Sequence, residues 1–231
     1  MEYNFTIIIP HKNVPHLLLR LLSSIPQRAD LQVIVVDDNS DNQEILKETP
    51  FCDRANTSFI FLTKEQANGA GRARNVGMKS AKGKWLLFAD ADDFYTDKIS
   101  FLLDKYENDN ETELVYLSTQ YYYDDGTTAP LLSYNRYIQS FIAGKKYSEN
   151  VLRYEMWTPW TRMVKKELVD KYNLQYEEVS VGNDMMFSLQ CSKFARIIKA
   201  ETEIVYNYYS PQKGSITSGY SKNINSLNSR L

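Results

Sequence analysis

The sequence has little of several features that mark particular protein classes. Two cysteines in 231 residues, Cys52 and Cys191, are too few for a disulfide framework, and their spacing matches no metal site. No apolar run approaches the ~20 residues that cross a bilayer, and no basic segment precedes the short apolar stretch near the amino terminus. A net charge of −2 gives no general nucleic-acid-binding character. We therefore expect reduced thiols and a cytosolic chain, or one that meets a membrane only from the side.

The first half of the chain alternates apolar strands with helical patterns. The predicted strands are YNFTIIIP, LQVIVVDD, TSFIFLT and KWLLFAD, each followed by a helical segment, the third of which is predicted to end at Gly83. Such continuous apolar strands indicate an α/β fold with a mostly parallel sheet covered by helices on both faces. After residue 112 the pattern becomes mixed α+β, with a turn predicted at Asp125-Gly126. We predict one domain over 1–231, with a regular half at 1–112 and an irregular half at 113–231.

Two acidic clusters follow predicted strands. Asp37 and Asp38 end the second strand, and Asp90, Asp92 and Asp93 follow the fourth. The carboxyl ends of parallel strands share one edge of a sheet, where ligands of α/β proteins bind. Clustered carboxylates are tolerated where a divalent cation neutralises them, and oxygen ligands suit Mg²⁺ or Mn²⁺. The alternative is that these residues cap helices, with Asp93 or Thr96 before DKISFLL.

Four segments together resemble family 2 glycosyltransferases with the GT-A fold. They are FTIIIPHKN, VIVVDDNSDN, GAGRARNVGMKSAKGKWLLFADADD and VGNDMMFSL, in the order and at roughly the spacing of that family. The resemblance implies a Rossmann-like, nucleotide-sugar-binding half at 1–112 and an acceptor-binding half at 113–231. It implies transfer of a sugar from a nucleotide-sugar donor, usually a UDP-sugar, to an acceptor hydroxyl with inversion. A glycan or glycolipid acceptor for cell-surface polysaccharide synthesis is expected, either in the cytoplasm or peripherally at the inner face of the plasma membrane.

The resemblance also implies roles for individual residues on the donor side. Asp38 would accept the N3–H of uracil, which would reject cytosine because its N3 is an acceptor. Asp90 and Asp92 would form the D-x-D pair that holds Mn²⁺ or Mg²⁺, with Asp92 the more direct ligand. Arg74 would support the acidic cluster or the diphosphate, or else pair structurally with Asp37 or Asp90. Pro10 would end the first strand at the donor site.

The remaining roles fall in the second half of the chain. Inverting transfer needs a base for the acceptor hydroxyl, and Asp184 stands where the family has it, with Asn183 replacing the usual Glu. The alternative role of Asp184 is an early-helix residue favoured by the helix dipole. Trp157 and Trp160 would line a sugar site or belong to the core. The segment YYSPQKGSITS resembles the loop that closes over the donor, where Lys213 or Ser215 would reach a phosphate.

One departure and several rival functions stay open. His11 and Lys12 replace the Thr-Tyr of the family after Pro10, so Lys12 would cover the base or the base pocket is altered. The rivals are a catalytically inactive glycan- or nucleotide-binding relative, a nucleotidyltransferase, and a receiver-type signalling domain. The receiver would use the acidic clusters together with Lys145.

Overall fold

A computed structural model describes residues 3–210 as a mixed sheet with helices on both faces. The strands are β1 Phe5–His11, β2 Leu31–Asp37, β3 Thr57–Phe61, β4 Trp85–Phe88, β5 Phe94–Tyr95, β6 Leu114–Tyr122, β7 Thr128–Pro130, β8 Arg162–Lys165 and β9 Ile198–Tyr209. The helices are α1 Pro15–Ser24, α2 Glu44–Lys47, α3 Gly69–Ser80, α4 Ile99–Tyr106, α5 Leu132–Ile142, α6 Ser148–Glu155, α7 Lys166–Lys171 and α8 Met185–Phe194, with a 3₁₀ turn at Pro159–Thr161.

One sheet runs through both halves of the described chain. Its strand order is β3-β2-β1-β4-β8-β6-β9-β5, and β7 pairs with β6. Strands β1 to β4 are parallel, as predicted, whereas β8 is antiparallel to both β4 and β6. The carboxyl ends of β1, β2 and β4 therefore lie side by side, and the segments that follow them converge on one edge of the sheet.

Alternating side chains of the central strands enter two separate cores. Ile7 and Ile9 of β1 pack in the core that also contains the apolar face of α1, whereas Ile8 packs with α3 and α8 on the opposite face. This follows from the strand period of two, because successive side chains point to opposite faces. Both faces are apolar, which explains why these strands appear in the sequence as unbroken runs.

Two glycines near predicted chain reversals have different roles. Gly126 has φ +80° and donates its N–H to the carbonyl of Tyr123 at 2.9 Å, which confirms the predicted turn. The prediction that Gly83 ends α3 is wrong, since the helix ends at Ser80 with an extended residue after it. A Cβ on Gly83 would lie 2.4 Å from the carbonyl carbon of Phe5, so this glycine permits close contact with the backbone of β1.

Candidate active site

The acidic turn after β4 is held by the last strand of the described chain. The Tyr206 hydroxyl accepts the N–H of Asp90 at 3.0 Å and donates to Asp93 Oδ2 at 2.8 Å. The N–H of Tyr209 donates to the other oxygen of Asp93 at 2.7 Å. Burial, followed by the charges of Asp90 and Asp92, raises the pKa of Asp93 well above its ordinary value. Asp93 thus anchors the turn to β9 and does not cap α4.

Asp92 projects from this turn with its carboxylate available. Its side chain is exposed, and among residues 3–210 the carboxylate has no side-chain hydrogen-bond partner. Desolvation by the protein around the turn, followed by the charge of Asp90, raises the pKa of Asp92 to about 6. Arg20 donates to the Asp92 carbonyl at 2.6 Å, and its guanidinium lies 4.7 Å from the centre of the Phe94 ring and 4.6 Å from that of Tyr209. The turn is therefore held by α1 as well as by β9.

Arg74 joins the acidic turn to the loop before α8. This buried side chain of α3 donates from Nη2 to Asp90 Oδ1 at 2.5 Å and from Nη1 to Asn183 Oδ1 at 2.8 Å. Burial opposes the charge of Arg74, but the interactions with Asp90, Tyr176 and Asp184 outweigh that effect, so the pKa of Arg74 is raised. Of the two structural partners considered from the sequence, Arg74 therefore pairs with Asp90 and not with Asp37.

Asp184 lies at the first turn of α8 without acting as its cap. It occupies the N-cap position, yet its side chain makes no capping hydrogen bond. Burial raises the pKa of Asp184, the charge of Arg74 lowers it, and the charge of Asp90 raises it again, with a net shift upwards. The carboxylate is therefore free to accept a proton, and its raised pKa makes it a stronger base.

Asp38 is occupied by protein groups. Its Oδ1 accepts the N–H of Asn68 at 3.0 Å, and the N–H of Gly69 lies 3.2 Å from Oδ1 and 3.1 Å from Oδ2. These amides open α3, so Asp38 caps that helix from the end of β2. Lys12, whose side chain is 55% exposed, lies 3.3 Å from Oδ2. Both oxygens of Asp38 therefore have protein partners: Oδ1 has the N–H groups of Asn68 and Gly69, and Oδ2 has the Gly69 N–H and the Lys12 ammonium.

Asp37 is a structural residue beneath the site. It accepts a hydrogen bond from His11 Nδ1 at 2.7 Å, while His11 Nε2 accepts the N–H of Val14 at 3.2 Å, so the proton of the neutral ring is on Nδ1. Burial opposes ionisation, but hydrogen bonds from His11, Ser40 and Gln43 lower the pKa of Asp37 to about 2. The His11-Asp37 pair therefore joins the ends of β1 and β2.

The other sequence-predicted residues lie in varied surroundings. The expectation that Pro10 ends the first strand is wrong, because Pro10 is buried inside β1 opposite Val36 and the strand ends at His11. Trp160 belongs to the core and stacks on Tyr206, with ring centres 5.4 Å apart, whereas Trp157 is half-buried. Lys145 lies on an exposed loop and makes no ion pair among residues 3–210. Lys213 and Ser215 fall outside the described residues.

Sequence reasoning missed Tyr206, Arg20 and Arg162. Arg162 is fully buried and donates to the carbonyls of Ser188 and Met156, tying the first turns of α8 to the segment before the 3₁₀ turn. An arginine between apolar helix residues, as in LLLRLLSS, is the available local signal for Arg20. Tyr206 gives no such signal, because it is one of 17 tyrosines.

The described residues do not form a complete metal site by themselves. Within 3–210, no three His, Cys, Asp or Glu side chains are grouped to hold a metal ion. Asp92 nevertheless has a carboxylate without a side-chain partner in the described part of the chain, and Asp90 keeps one oxygen that Arg74 does not use. This set fits a Mg²⁺ or Mn²⁺ ion that is bound by one or two carboxylates together with substrate phosphates.

A cavity elsewhere on the molecule does not share these features. It measures about 680 Å³ and lies at the amino ends of β4 and β6, at the edge of the sheet opposite the acidic turn. Among its lining charges, Arg196 pairs with Glu113 at 3.1 Å, and Lys165 lies 4.0 Å from the centre of the Trp85 ring. The candidate active site is therefore the convergence of the acidic turn, Arg74 and the first turn of α8.

Comparison with known proteins gives three main likenesses. The family model for glycosyl transferase family 2 matches residues 6–172. A protein of Escherichia coli named UDP-Glc:alpha-D-GlcNAc-diphosphoundecaprenol beta-1,3-glucosyltransferase WfgD is 30% identical over 129 residues, which are 49% of this chain and 50% of that protein. The crystal structure of S. aureus TarS 1-349 in complex with UDP-GlcNAc has a TM-score of 0.74 at 20% identity, covering 93% of this chain and 60% of that one.

A further solved structure has the same architecture. The mannosyltransferase PcManGT from Pyrobaculum calidifontis, in complex with GDP-Man and Mn²⁺, has a TM-score of 0.64 at 17% identity, covering 93% of this chain and 59% of that one. These structural likenesses confirm the predicted GT-A fold. The chain spans about 50–60% of the length of the proteins named here. Every helix within residues 3–210 is too short or too polar to span a bilayer.

Proposed function

The chain belongs to glycosyl transferase family 2, and on that premise we propose that it transfers a sugar from a UDP-sugar to an acceptor hydroxyl with inversion. Residues 1–112 would bind the nucleotide sugar, and 113–231 would bind the acceptor. The observation that carries the proposal is the double hydrogen bond of Arg74 to Asp90 and Asn183. It links the acidic turn expected to bind the donor phosphates to the loop that carries the expected base.

The proposed donor site begins at the end of β2. Asp38 presents Oδ2 for a uracil N3–H, and the exposed Lys12 moves from this oxygen to cover the base with its aliphatic stem. Pro10, the residue before the last one of β1, is proposed to lie beside the donor. Support for a uridine nucleotide comes from S. aureus TarS, whose crystal structure holds UDP-GlcNAc.

The diphosphate would lie at the acidic turn. Asp92 and the second oxygen of Asp90 would hold a Mn²⁺ or Mg²⁺ ion there, and PcManGT is a structural relative that was crystallised with Mn²⁺. When bound, such an ion neutralises the charge that develops on the leaving diphosphate. Arg74 keeps Asp90 in place by its hydrogen bond, and Lys213 is proposed to contact a phosphate.

Asp184 is proposed as the catalytic base. As the acceptor oxygen forms its bond to the anomeric carbon, the bond from that carbon to the diphosphate oxygen breaks and its electron pair leaves with the diphosphate. The hydroxyl proton moves to the Asp184 carboxylate, which is free of capping contacts and has a raised pKa. Attack from the face opposite the leaving group inverts the anomeric configuration.

The proposed acceptor is a glycan or a lipid-linked glycan used in surface polysaccharide synthesis. The name of the E. coli relative specifies an acceptor attached to diphosphoundecaprenol, and TarS of Staphylococcus aureus is named a poly(ribitol-phosphate) N-acetylglucosaminyltransferase. The half-buried Trp157 and the segment around it are proposed to line this acceptor side. An inactive binding relative stays the second candidate, because Asn183 replaces the Glu expected beside Asp184.

The test is thermal stabilisation by UDP, dTDP, GDP and CDP, each with and without Mn²⁺. A ligand at 100 times its Kd stabilises the folded state by about 2.7 kcal/mol, which is visible as a melting shift. We expect UDP with Mn²⁺ to give the largest shift and Asp92→Ala to abolish the metal-dependent part. The control is Asp97→Ala, an exposed aspartate five positions later. Absence of a shift with every nucleotide would overturn the proposed donor site.

A second measurement separates an enzyme from a binding relative. Release of UDP from UDP-glucose or UDP-GlcNAc is followed with Mn²⁺ present, since many transferases hydrolyse their donor slowly when no acceptor is bound. UDP release that is lost in Asp184→Asn supports the transferase. Nucleotide binding without any release, in the presence of bacterial lipid-linked glycan extracts, favours the inactive relative.

A further inference from the structure

The loop between α5 and α6 exposes apolar and basic side chains together. Six consecutive residues, 142–147 (IAGKKY), are all exposed, and we refer to them as the α5–α6 tip. Ile142 is 54% exposed and Tyr147 is 67% exposed, the latter being the most exposed large apolar side chain of the described chain. Exposed apolar side chains that occur together beside polar or charged residues indicate a surface that binds a protein or a membrane.

The backbone presents these side chains outward. Tyr147 has φ 62°, a left-handed conformation that is rare for a bulky residue. The tip is closed by hydrogen bonds from Lys145 N to Ser140 O at 3.1 Å and from Ser148 N to Lys145 O at 3.1 Å. An energetically unfavourable conformation held by such contacts suggests that the exposed position of Tyr147 has a function.

The charges of the tip are available to an external partner. Neither Lys145 nor Lys146 forms an ion pair with any described residue, although the ammonium of Lys146 lies 4.8 Å from the centre of the Tyr147 ring. The nearest acidic residue along α6, Glu149, is already paired with Arg153 at 2.8 Å. Among residues 3–210, the two lysines of the tip therefore have no ion-pair partner, on a chain whose net charge is −2.

We propose that the α5–α6 tip docks the protein on an anionic lipid surface. Ile142 and Tyr147 enter the headgroup boundary, where an apolar body with a polar end is favoured, and Lys145 and Lys146 contact lipid phosphates. Two lysines and two apolar side chains provide weak, reversible adhesion that depends on salt, not permanent anchoring.

The position of the tip fits a lipid-linked acceptor. The start of α5 adjoins the proposed acceptor side, because Tyr134 packs against Trp160 with ring centres 6.4 Å apart. Burial is the main cause of the raised pKa of Tyr134, and the charge of Asp184 adds to it, so the two side chains are near each other. An 11-residue helix spans about 16 Å, so α5 separates this region from the tip by that distance. A membrane at the tip would leave room for the headgroup and first sugars of an acceptor. This orientation rests on the proposed function, whereas the lipid contact does not.

The test is co-sedimentation with vesicles of phosphatidylcholine alone or mixed with phosphatidylglycerol. We expect the protein to bind the mixed vesicles and to be released by raised salt. The double variants Ile142→Ser/Tyr147→Ser and Lys145→Glu/Lys146→Glu should each weaken this binding at least about tenfold. The matched control is Phe101→Ser/Lys98→Glu on and beside α4, which removes a 55% exposed apolar side chain and reverses an exposed lysine.

Each result decides the proposal in one direction. Retained stabilisation of the tip variants by UDP and Mn²⁺ shows that they are folded, so their loss of vesicle binding supports the proposal. No vesicle binding by the unaltered protein overturns it, as does equal binding to neutral vesicles or an equal loss in the α4 control. Concentration-dependent self-association that disappears in the tip variants would assign this surface to a second copy and would also overturn it. If nucleotide binding fails while vesicle binding persists, only the proposed function fails.

Discussion

Asn183 accepts a hydrogen bond from Arg74, with 2.8 Å between Oδ1 and Nη1. The resemblance to the family implies a Glu at this position. An amide oxygen satisfies the same donor without adding a negative charge, so the guanidinium can interact more strongly with Asp90 and Asp184. The replacement thus retains a contact that positions the loop before α8 while it reduces the negative charge beside the proposed base.

Removal of the amide should destabilise the protein. Asn183→Ala leaves Nη1 of the buried Arg74 without this partner, and an unsatisfied buried donor costs about 1–3 kcal/mol. Urea denaturation should show this loss, whereas Asn150→Ala, on the exposed face of α6, should leave the free energy of unfolding nearly unchanged. Equal stability of the two variants would indicate that the contact contributes nothing.

Replacement of the proposed base should separate catalysis from binding. Asp184→Asn preserves size but removes proton affinity, and loss of a general base lowers kcat by about 10²- to 10⁴-fold. Stabilisation by UDP and Mn²⁺ should persist, because the donor residues are unchanged. Asp170→Asn, at an exposed ion pair with Lys166 in α7, is the control and should keep full activity. Full activity in Asp184→Asn would exclude this residue as the base.

Acid should selectively remove the contribution of Asp37 to stability. Its pKa in the folded protein is about 2, below the ordinary value of 3.8. The ionised form therefore stabilises the folded state above about pH 4, and that contribution of roughly 2 kcal/mol disappears as the pH falls from about 4 to about 2. In urea denaturation, the difference between the unaltered protein and Asp37→Asn should shrink over this range. Two parallel stability curves would contradict the assignment.

A methyl group on α3 should disturb the base more than the donor site. A Cβ on Gly71 would lie 2.1 Å from the carbonyl oxygen of Glu177, in the loop that leads to Asp184. Gly71→Ala should push this loop from α3, so transferase activity should fall while UDP still stabilises the protein with Mn²⁺. Gly126→Ala, at a distant turn, would strain only its own backbone. Unchanged kcat in Gly71→Ala would show that the loop adjusts without moving the base.

The order of strands and helices in the first half of the chain follows from the sequence alone. Unbroken apolar strands separated by helical patterns can satisfy their backbone and bury both faces only in a parallel sheet. The positions of Asp38 and Asp90 at one edge of that sheet follow as well, because each comes directly after a strand. The end of α3 could not be predicted in this way. A glycine shortly after a helical pattern usually marks the end of the helix, whereas Gly83 is required for close packing against β1.

Only the tertiary structure decided which carboxylates are available for chemistry. Asp37 is held by His11, Asp38 caps α3, and Asp93 is bound by Tyr206, a residue 113 positions away. Asp92 alone of the two clusters has a carboxylate without a partner from another residue among those described. Local sequence patterns report period and burial, whereas these hydrogen bonds join residues distant in the chain. The sequence therefore determined where the acidic residues gather, and the packing of α3 and β9 determined which of them can act.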